Sequence, residues 1–148
     1  MPNAETLKEC LGDASSWTPP VLGEIKAGMS PEEVGKLIPG AQKIRFGFAK
    51  VKTKACVGVQ MLEFWYMEDR EDKSRKLSSV TFHFDPSLSK SEQFAQTALA
   101  FFTEKYGPVK RPEQIEKRLI VWIGDNSKTA TWTLFPTRPP HWQLSVRL

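Results

Sequence analysis

The chain is poor in the groups that metal and redox chemistry depend on. It has two cysteines, Cys10 and Cys56, and two histidines, His83 and His141, in 148 residues. Neither pair has the close spacing of a zinc site or a C-x-x-C redox motif. No glycine-rich phosphate loop, dinucleotide fingerprint, H-E-x-x-H or G-x-S-x-G occurs, which removes the nucleotide-binding, zincin and α/β-hydrolase readings. No apolar run approaches the roughly 20 residues of a membrane-spanning helix. The N-terminal stretch MPNAETLKECLGDASS has no basic segment followed by an apolar one, so no signal peptide is expected in it. An excess of one charge is lacking too: 21 Lys and Arg face 17 Asp and Glu, interspersed, for a net +4. Nucleic-acid binding calls for a concentrated basic stripe and is not expected. The densest basic run, KVKTK at 50–54, reads as a solvated strand edge that discourages aggregation.

Hydrophobic residues make up 40% of the chain and charged residues 26%. That balance belongs to a globular domain large enough for a real core. One domain over 1–148 is expected: an N-terminal helix and connector (1–22), a first half (23–86) and a second half (87–148).

Local signals give the element order. Asn3 can cap a short helix, AETLKECL, with Leu7, Cys10 and Leu11 on one face and Gly12 ending it. SSWTPPVLG is a turn-rich connector. In IKAGMSPEEVGKLIPG, Ser30 and Glu33 form a capping box and Pro31 takes the first helical position. Met29 serves as the staple, Val34, Leu37 and Ile38 form the apolar face, and Pro39-Gly40 closes the helix. Strands follow at AQKIRFGFAK (Ile44, Phe46 and Phe48 on one face), ACVGVQMLEFWYM (Val57, Val59, Met61) and LSSVTFHFD (Val80, Phe82, Phe84). The charged run 68–76 reads as a hairpin loop. A third helix, SEQFAQTALAFFTEKYG, is expected to have a capping box at Ser89 and Glu92 and an inner face of Phe94, Ala98, Phe101 and Phe102. Lys105 is expected to snorkel from that face, and Gly107-Pro108 ends the helix. Three more strands place Leu119, Val121 and Ile123, then Ala130, Trp132 and Leu134, then Trp142, Leu144, Val146 and Leu148 toward the core. The fold class is therefore α+β: an antiparallel sheet of about six strands with helices on one face, its element order compatible with two helix-plus-three-strand repeats.

Ile25, Gly28-Met29-Ser30, Glu33-Val34, Leu37 and Gly40 together resemble the I-x-x-G-M-[ST]-x-x-x-V-x-x-L-x-G pattern of the SmpA/OmlA (BamE-like) envelope proteins. The pattern is also similar to the repeats of beta-lactamase inhibitor proteins, which share a helix-then-sheet architecture. The likeness covers about sixteen residues, with Lys105-Tyr106-Gly107-Pro108 as a further echo. It implies that fold and a non-catalytic, protein-binding tendency in the bacterial envelope, in the periplasm or secreted, and it carries over no functional residue. Pro39 departs from the pattern, and the residues before Cys10 do not form a lipobox, so a lipid anchor is not expected. A cytoplasmic location is the alternative, and the cysteines bear on it. Cys10 and Cys56 form either a bridge pinning the N-terminal segment to the body or two buried small hydrophobes.

Strand alternation assigns the face away from the helices to Arg45, Thr81, His83, Arg118, Ile120, Trp122, Thr131, Thr133, Phe135, His141, Gln143 and Arg147. Aromatic and arginine anchors among adaptable polar groups suit protein recognition. The candidate partner-binding residues are Trp122, Arg118, Tyr66, Phe135, His83, His141, Arg45 and Arg147, with Tyr66 or Trp65 as the packing neighbour of Trp122. A protein partner without a cofactor is the leading expectation, and no enzyme activity is expected. The alternative is a small-molecule or hydrolytic site at His83 and His141, with Asp85 orienting the His83 imidazole. Oligomeric state is open, with pairing through free sheet edges one possibility.

Overall fold

The computed structural model describes residues 1–136 and 139–148. Helix α1 (Ala4–Leu11) is capped by Asn3, whose side chain accepts from the Thr6 amide while Thr6 returns a bond to the Asn3 amide. A 3₁₀ turn at Pro20–Leu22 leads to α2 (Pro31–Leu37). There Ser30 and Glu33 bond reciprocally as a capping box, fixing a helix too short to persist alone. The preceding segment is zipped to the sheet: Gly28 N–H donates to Leu77 O at 2.9 Å, and Leu77 N–H to Met29 O at 2.8 Å. Strands β1 (Phe48–Lys52), β2 (Val59–Glu68) and β3 (Arg75–Phe84) form one meander. Helix α3 (Glu92–Tyr106) and the short α4 (Glu113–Lys117) precede a second, made of β4 (Leu119–Ile123), β5 (Thr129–Phe135) and β6 (His141–Arg147).

The sheet is antiparallel in the order β1-β2-β3-β6-β5-β4, so the meanders meet through their third strands and β1 and β4 are the edges. The expected α+β architecture is present, with helices packed on one face. The inner face holds Phe64, Val80, Phe82, Phe84, Trp132, Leu144 and Val146, met by Phe94, Ala98, Phe101 and Phe102 of α3. Trp132 is the hub: its ring lies 5.3 Å from Phe84, 4.7 Å from Phe102 and 4.7 Å from the stacked ring of Trp142. Cys10 and Cys56 are bridged, which ties α1 to the loop before β2. Among the described residues no helix is long and apolar enough to cross a membrane.

Several local expectations are corrected. The first strand starts at Phe48, not near Ile44, because Phe46 (φ 56°) and Gly47 (φ 87°) turn left-handed between paired Arg45 and Phe48. That is the two-residue turn that suits hairpin twist, and it leaves Phe46 exposed. Leu37 and Val57 are exposed as well. Irregular pairing between Val59 and Met61 puts these two on opposite faces. Helix α3 is capped by Ser91, which accepts from the Phe94 amide at 3.0 Å, rather than by Ser89. Lys105 does not snorkel: its Nζ turns inward and donates to the carbonyls of Asp13 and Ser16, closing the loop after α1. Burial lowers its pKa to about 8, opposed by nearby Asp13.

Candidate functional site

The face of the sheet away from the helices is built by alternation from β3 and β6, where buried Val80, Phe82, Leu144 and Val146 point inward. Thr81, His83, His141, Gln143 and Arg147 therefore point out, as expected, and Ser145 joins them. Register then brings them together. Thr81 sits opposite Ser145, and their hydroxyls bond at 2.8 Å. His83 is opposite Gln143, so His141 is its diagonal neighbour on β6, and Glu63 is its diagonal neighbour on β2.

The result is a polar row across three strands. His83 Nδ1 lies 2.9 Å from His141 Nε2, and His141 Nδ1 lies 3.2 Å from the Pro139 carbonyl. At the other end His83 Nε2 stands 3.4 Å from Glu63 Oε1, close but without a hydrogen bond. Lys50 Nζ approaches the same Glu63 oxygen at 3.8 Å. Hydrogen-bond inventory fixes what this row can do. The Pro139 carbonyl only accepts, so His141 Nδ1 carries the proton there. One proton then bridges the two rings. His83 Nε2 meets Glu63 attractively when the pair holds one proton more, and lone pair to carboxylate when it does not.

Glu63 is 7% exposed on the face opposite the core helices. Burial raises its carboxyl pKa, but His83 and Lys50 outweigh that and hold it below the usual value. Asp85, the expected partner of His83, is instead occupied with the Ser87 amide at the 3₁₀ turn after β3. Glu63 went unnoticed in the sequence, where its only signal is a lone acid inside the apolar run Leu62–Tyr66. Among the described residues no group of three or more His, Cys, Asp and Glu side chains is placed to hold a metal ion; this row is strung out, not convergent.

The other candidates separate. Trp122 is a core residue: it is 5% exposed, its ring lies 5.5 Å from Tyr106, and its Nε1 donates to Gly107 O at 2.9 Å. Ile120 points inward with it, and Leu119, Val121 and Ile123 are the exposed set, the reverse of the expected phase. Arg118 ends α4 in a left-handed conformation (φ 54°) and reaches the helix side, 3.9 Å from Glu92 of α3. Tyr66 is buried, its hydroxyl donating to Ala41 O at 2.7 Å; a register shift between Trp65 and Tyr66 accompanies this placement. Trp65 packs on Phe48, so neither neighbours Trp122. Arg45 precedes β1 and is exposed at the hairpin turn. Phe135 does lie beside His141, with ring centres 6.1 Å apart. Arg147 shares the face at the opposite end of β6, opposite Ser79.

The outer face thus has two parts. Near its middle is the Glu63–His83–His141 row, and at its β4 end is an exposed apolar strip of Leu119, Val121, Ile123 and Phe135 set among Thr129, Thr131 and Thr133. Comparison with protein-family models, with curated proteins and with solved structures gives no match to this chain.

Proposed function

We propose that the chain is a non-enzymatic, protein-binding module of the bacterial envelope, of the BamE-like kind, and that it engages its partner at the β4 end of the outer sheet face. The observation that carries this reading is the apolar strip on a free edge. Leu119, Val121 and Ile123 are 46%, 40% and 78% exposed on a strand whose outer hydrogen-bonding groups have no neighbouring strand among the described residues. Such an edge accepts an extended peptide segment, main chain to main chain, with apolar side chains on alternate residues. The opposite edge, β1, carries exposed Lys50 and Lys52, charges that discourage the same strand addition. The Cys10–Cys56 bridge supports an oxidising compartment, periplasmic or extracellular.

A hydrolytic reading at His83 and His141 is weaker. The row ends on the Pro139 carbonyl, where a nucleophilic hydroxyl or thiol would have to stand. Its neighbouring hydroxyls, Thr81 and Ser145, bond to each other.

The test is a Val121→Lys, Ile123→Lys double variant of the full chain, used with wild type to capture envelope proteins from the native host. The variant should keep the wild-type unfolding midpoint, because both side chains are exposed, and lose the captured partner. Lys50→Ser with Lys52→Ser should retain it. Equal capture by the β4 variant and wild type would remove the proposal. A doubled solution mass abolished by the β4 variant would assign the edge to a second copy of this chain.

A further inference from the structure

In the Glu63–His83–His141 row the protons do not match the acceptors. His83 Nδ1 faces His141 Nε2 at 2.9 Å, and His141 Nδ1 faces the Pro139 carbonyl at 3.2 Å. With one proton per ring, His141 keeps its proton on Nδ1 for that carbonyl, and the His83 proton sits on Nδ1 between the rings. His83 Nε2 is then a bare lone pair, buried without a hydrogen-bond partner among the described residues. It stands 3.4 Å from a Glu63 carboxylate oxygen. Two acceptors therefore face each other where Glu63 is 7% exposed and water screens them poorly.

A metal ion in place of the bridging proton removes the conflict. Ligating histidines characteristically pass their second ring N–H to a carboxylate or a backbone carbonyl, which fixes the tautomer and the ring orientation. Both histidines already have such a partner: Glu63 for His83 and the Pro139 carbonyl for His141. The two remaining nitrogens face each other. Zinc–imidazole bonds of about 2.0–2.1 Å at a tetrahedral angle set two ligating nitrogens about 3.3–3.4 Å apart. The rings need to part by only about 0.5 Å, and His141 is partly exposed at the start of β6, where an ion can enter from solvent. As the ion binds, the proton between the rings transfers to His83 Nε2 and meets Glu63, so the neutral pair loses no proton. The Glu63 charge supports the cation, with Lys50 as its competitor at 3.8 Å.

We propose that His83 Nδ1 and His141 Nε2 bind Zn²⁺, with Glu63 and the Pro139 carbonyl as outer partners and water in the open positions. Among the described residues no third His, Cys, Asp or Glu side chain converges there, so the protein supplies two ligands. His83, opposite Gln143, is the last residue of β3 paired with β6. The ion thus clasps the two meanders where their shared ladder stops. Neither the β4 edge nor a protein partner is involved, so the two proposals stand or fall apart.

The test is titration of the intact, oxidised, untagged chain with Zn²⁺, read by calorimetry and by histidine ring ¹⁵N spectra. With two histidines in the chain, the ring signals report on this pair alone. Wild type should take up one equivalent with a Kd below about 100 µM, and the His83 proton should move from Nδ1 to Nε2. Mg²⁺, which prefers oxygen ligands, should do neither. His141→Ala should abolish stoichiometric binding. Glu63→Gln, which leaves a weaker acceptor for His83, should raise the Kd about tenfold. Backbone spectra establish that each variant is folded, and the wild-type tautomer decides the matter without them. No saturation by about 1 mM Zn²⁺, zinc uptake that leaves the His83 tautomer unchanged, or undiminished binding in folded Glu63→Gln overturns the proposal. So does binding that survives in folded His141→Ala, which would mark an adventitious surface ion only.

Discussion

Replacing Trp122 separates a core residue from a surface anchor. Its indole is 5% exposed, packed between Phe102 and Tyr106, and its N–H is the partner of the Gly107 carbonyl at the end of α3. Trp122→Ala removes the ring and leaves both a cavity and an unpaired carbonyl, a loss of about 3–5 kcal/mol. Against a domain stability of about 5–15 kcal/mol, that is a large fraction. At roughly 2–4 °C per kcal/mol for a chain of this length, the melting midpoint should fall by about 10 °C. Trp122→Phe keeps an aromatic ring and loses mainly the hydrogen bond, about 1 kcal/mol plus a small packing deficit. Urea unfolding followed by circular dichroism, with the disulfide intact, should therefore rank wild type above Phe and Phe well above Ala. The reasoning fails if Trp122→Ala unfolds within about 1 kcal/mol of wild type, because a buried tryptophan cannot be removed that cheaply.

Two further outcomes follow from buried groups. Replacing Cys10 and Cys56 by alanine opens a loop with a sequence separation of 46 residues and should cost about 4 kcal/mol on the chain-entropy account; urea midpoints of oxidised wild type and the double variant measure it, and a difference near zero would mean that the bridge closes no productive loop. Lys105 has a folded-state pKa of about 8, lowered first by burial. Between that value and the unfolded value near 10.4 the unfolded chain holds a proton that the folded chain has released, so wild-type stability should rise with pH. Relative to Lys105→Met, the wild-type urea midpoint should climb from pH 7.5 to 9.5; a flat or falling difference would show that the Asp13 and Ser16 carbonyls keep the ammonium charged.

Much of the architecture was legible because local signals agreed with one another. Ser30, Pro31 and Glu33 specify a helix start from within four residues, and Gly107-Pro108 specifies a stop. Val80, Phe82 and Phe84 alternate cleanly with Ser79, Thr81 and His83, so β3 declared its faces, and β5 and β6 did likewise. The β4 strand did not. Leu119-Ile120-Val121-Trp122-Ile123 is apolar at every position, so alternation carries no phase, and pairing across the sheet decides it. Ile120 lies opposite the hub residue Trp132, and Trp122 opposite buried Ala130. Ahead of it, α4 and the left-handed turn at Arg118 send that side chain toward α3. Tyr66 was misplaced for the same reason, since residues 62–67 are apolar on both faces. The Glu63–His83–His141 row was half visible. The histidines lie on strands whose phase was readable, but Glu63 joins them only through register, which no single strand encodes.

The two ends of the sheet bear on how this protein behaves in a crowd. Its order places a lysine-bearing strand, β1, at one margin and an apolar strand, β4, at the other. Fibres grow when each subunit has two compatible sticky margins, so that every addition exposes another. Here an encounter between β4 margins closes on itself as a pair, and an encounter between β1 margins sets like charges against each other. Filament growth would instead need β4 of one copy to add to β1 of the next, and the exposed Lys50 and Lys52 blunt that pairing.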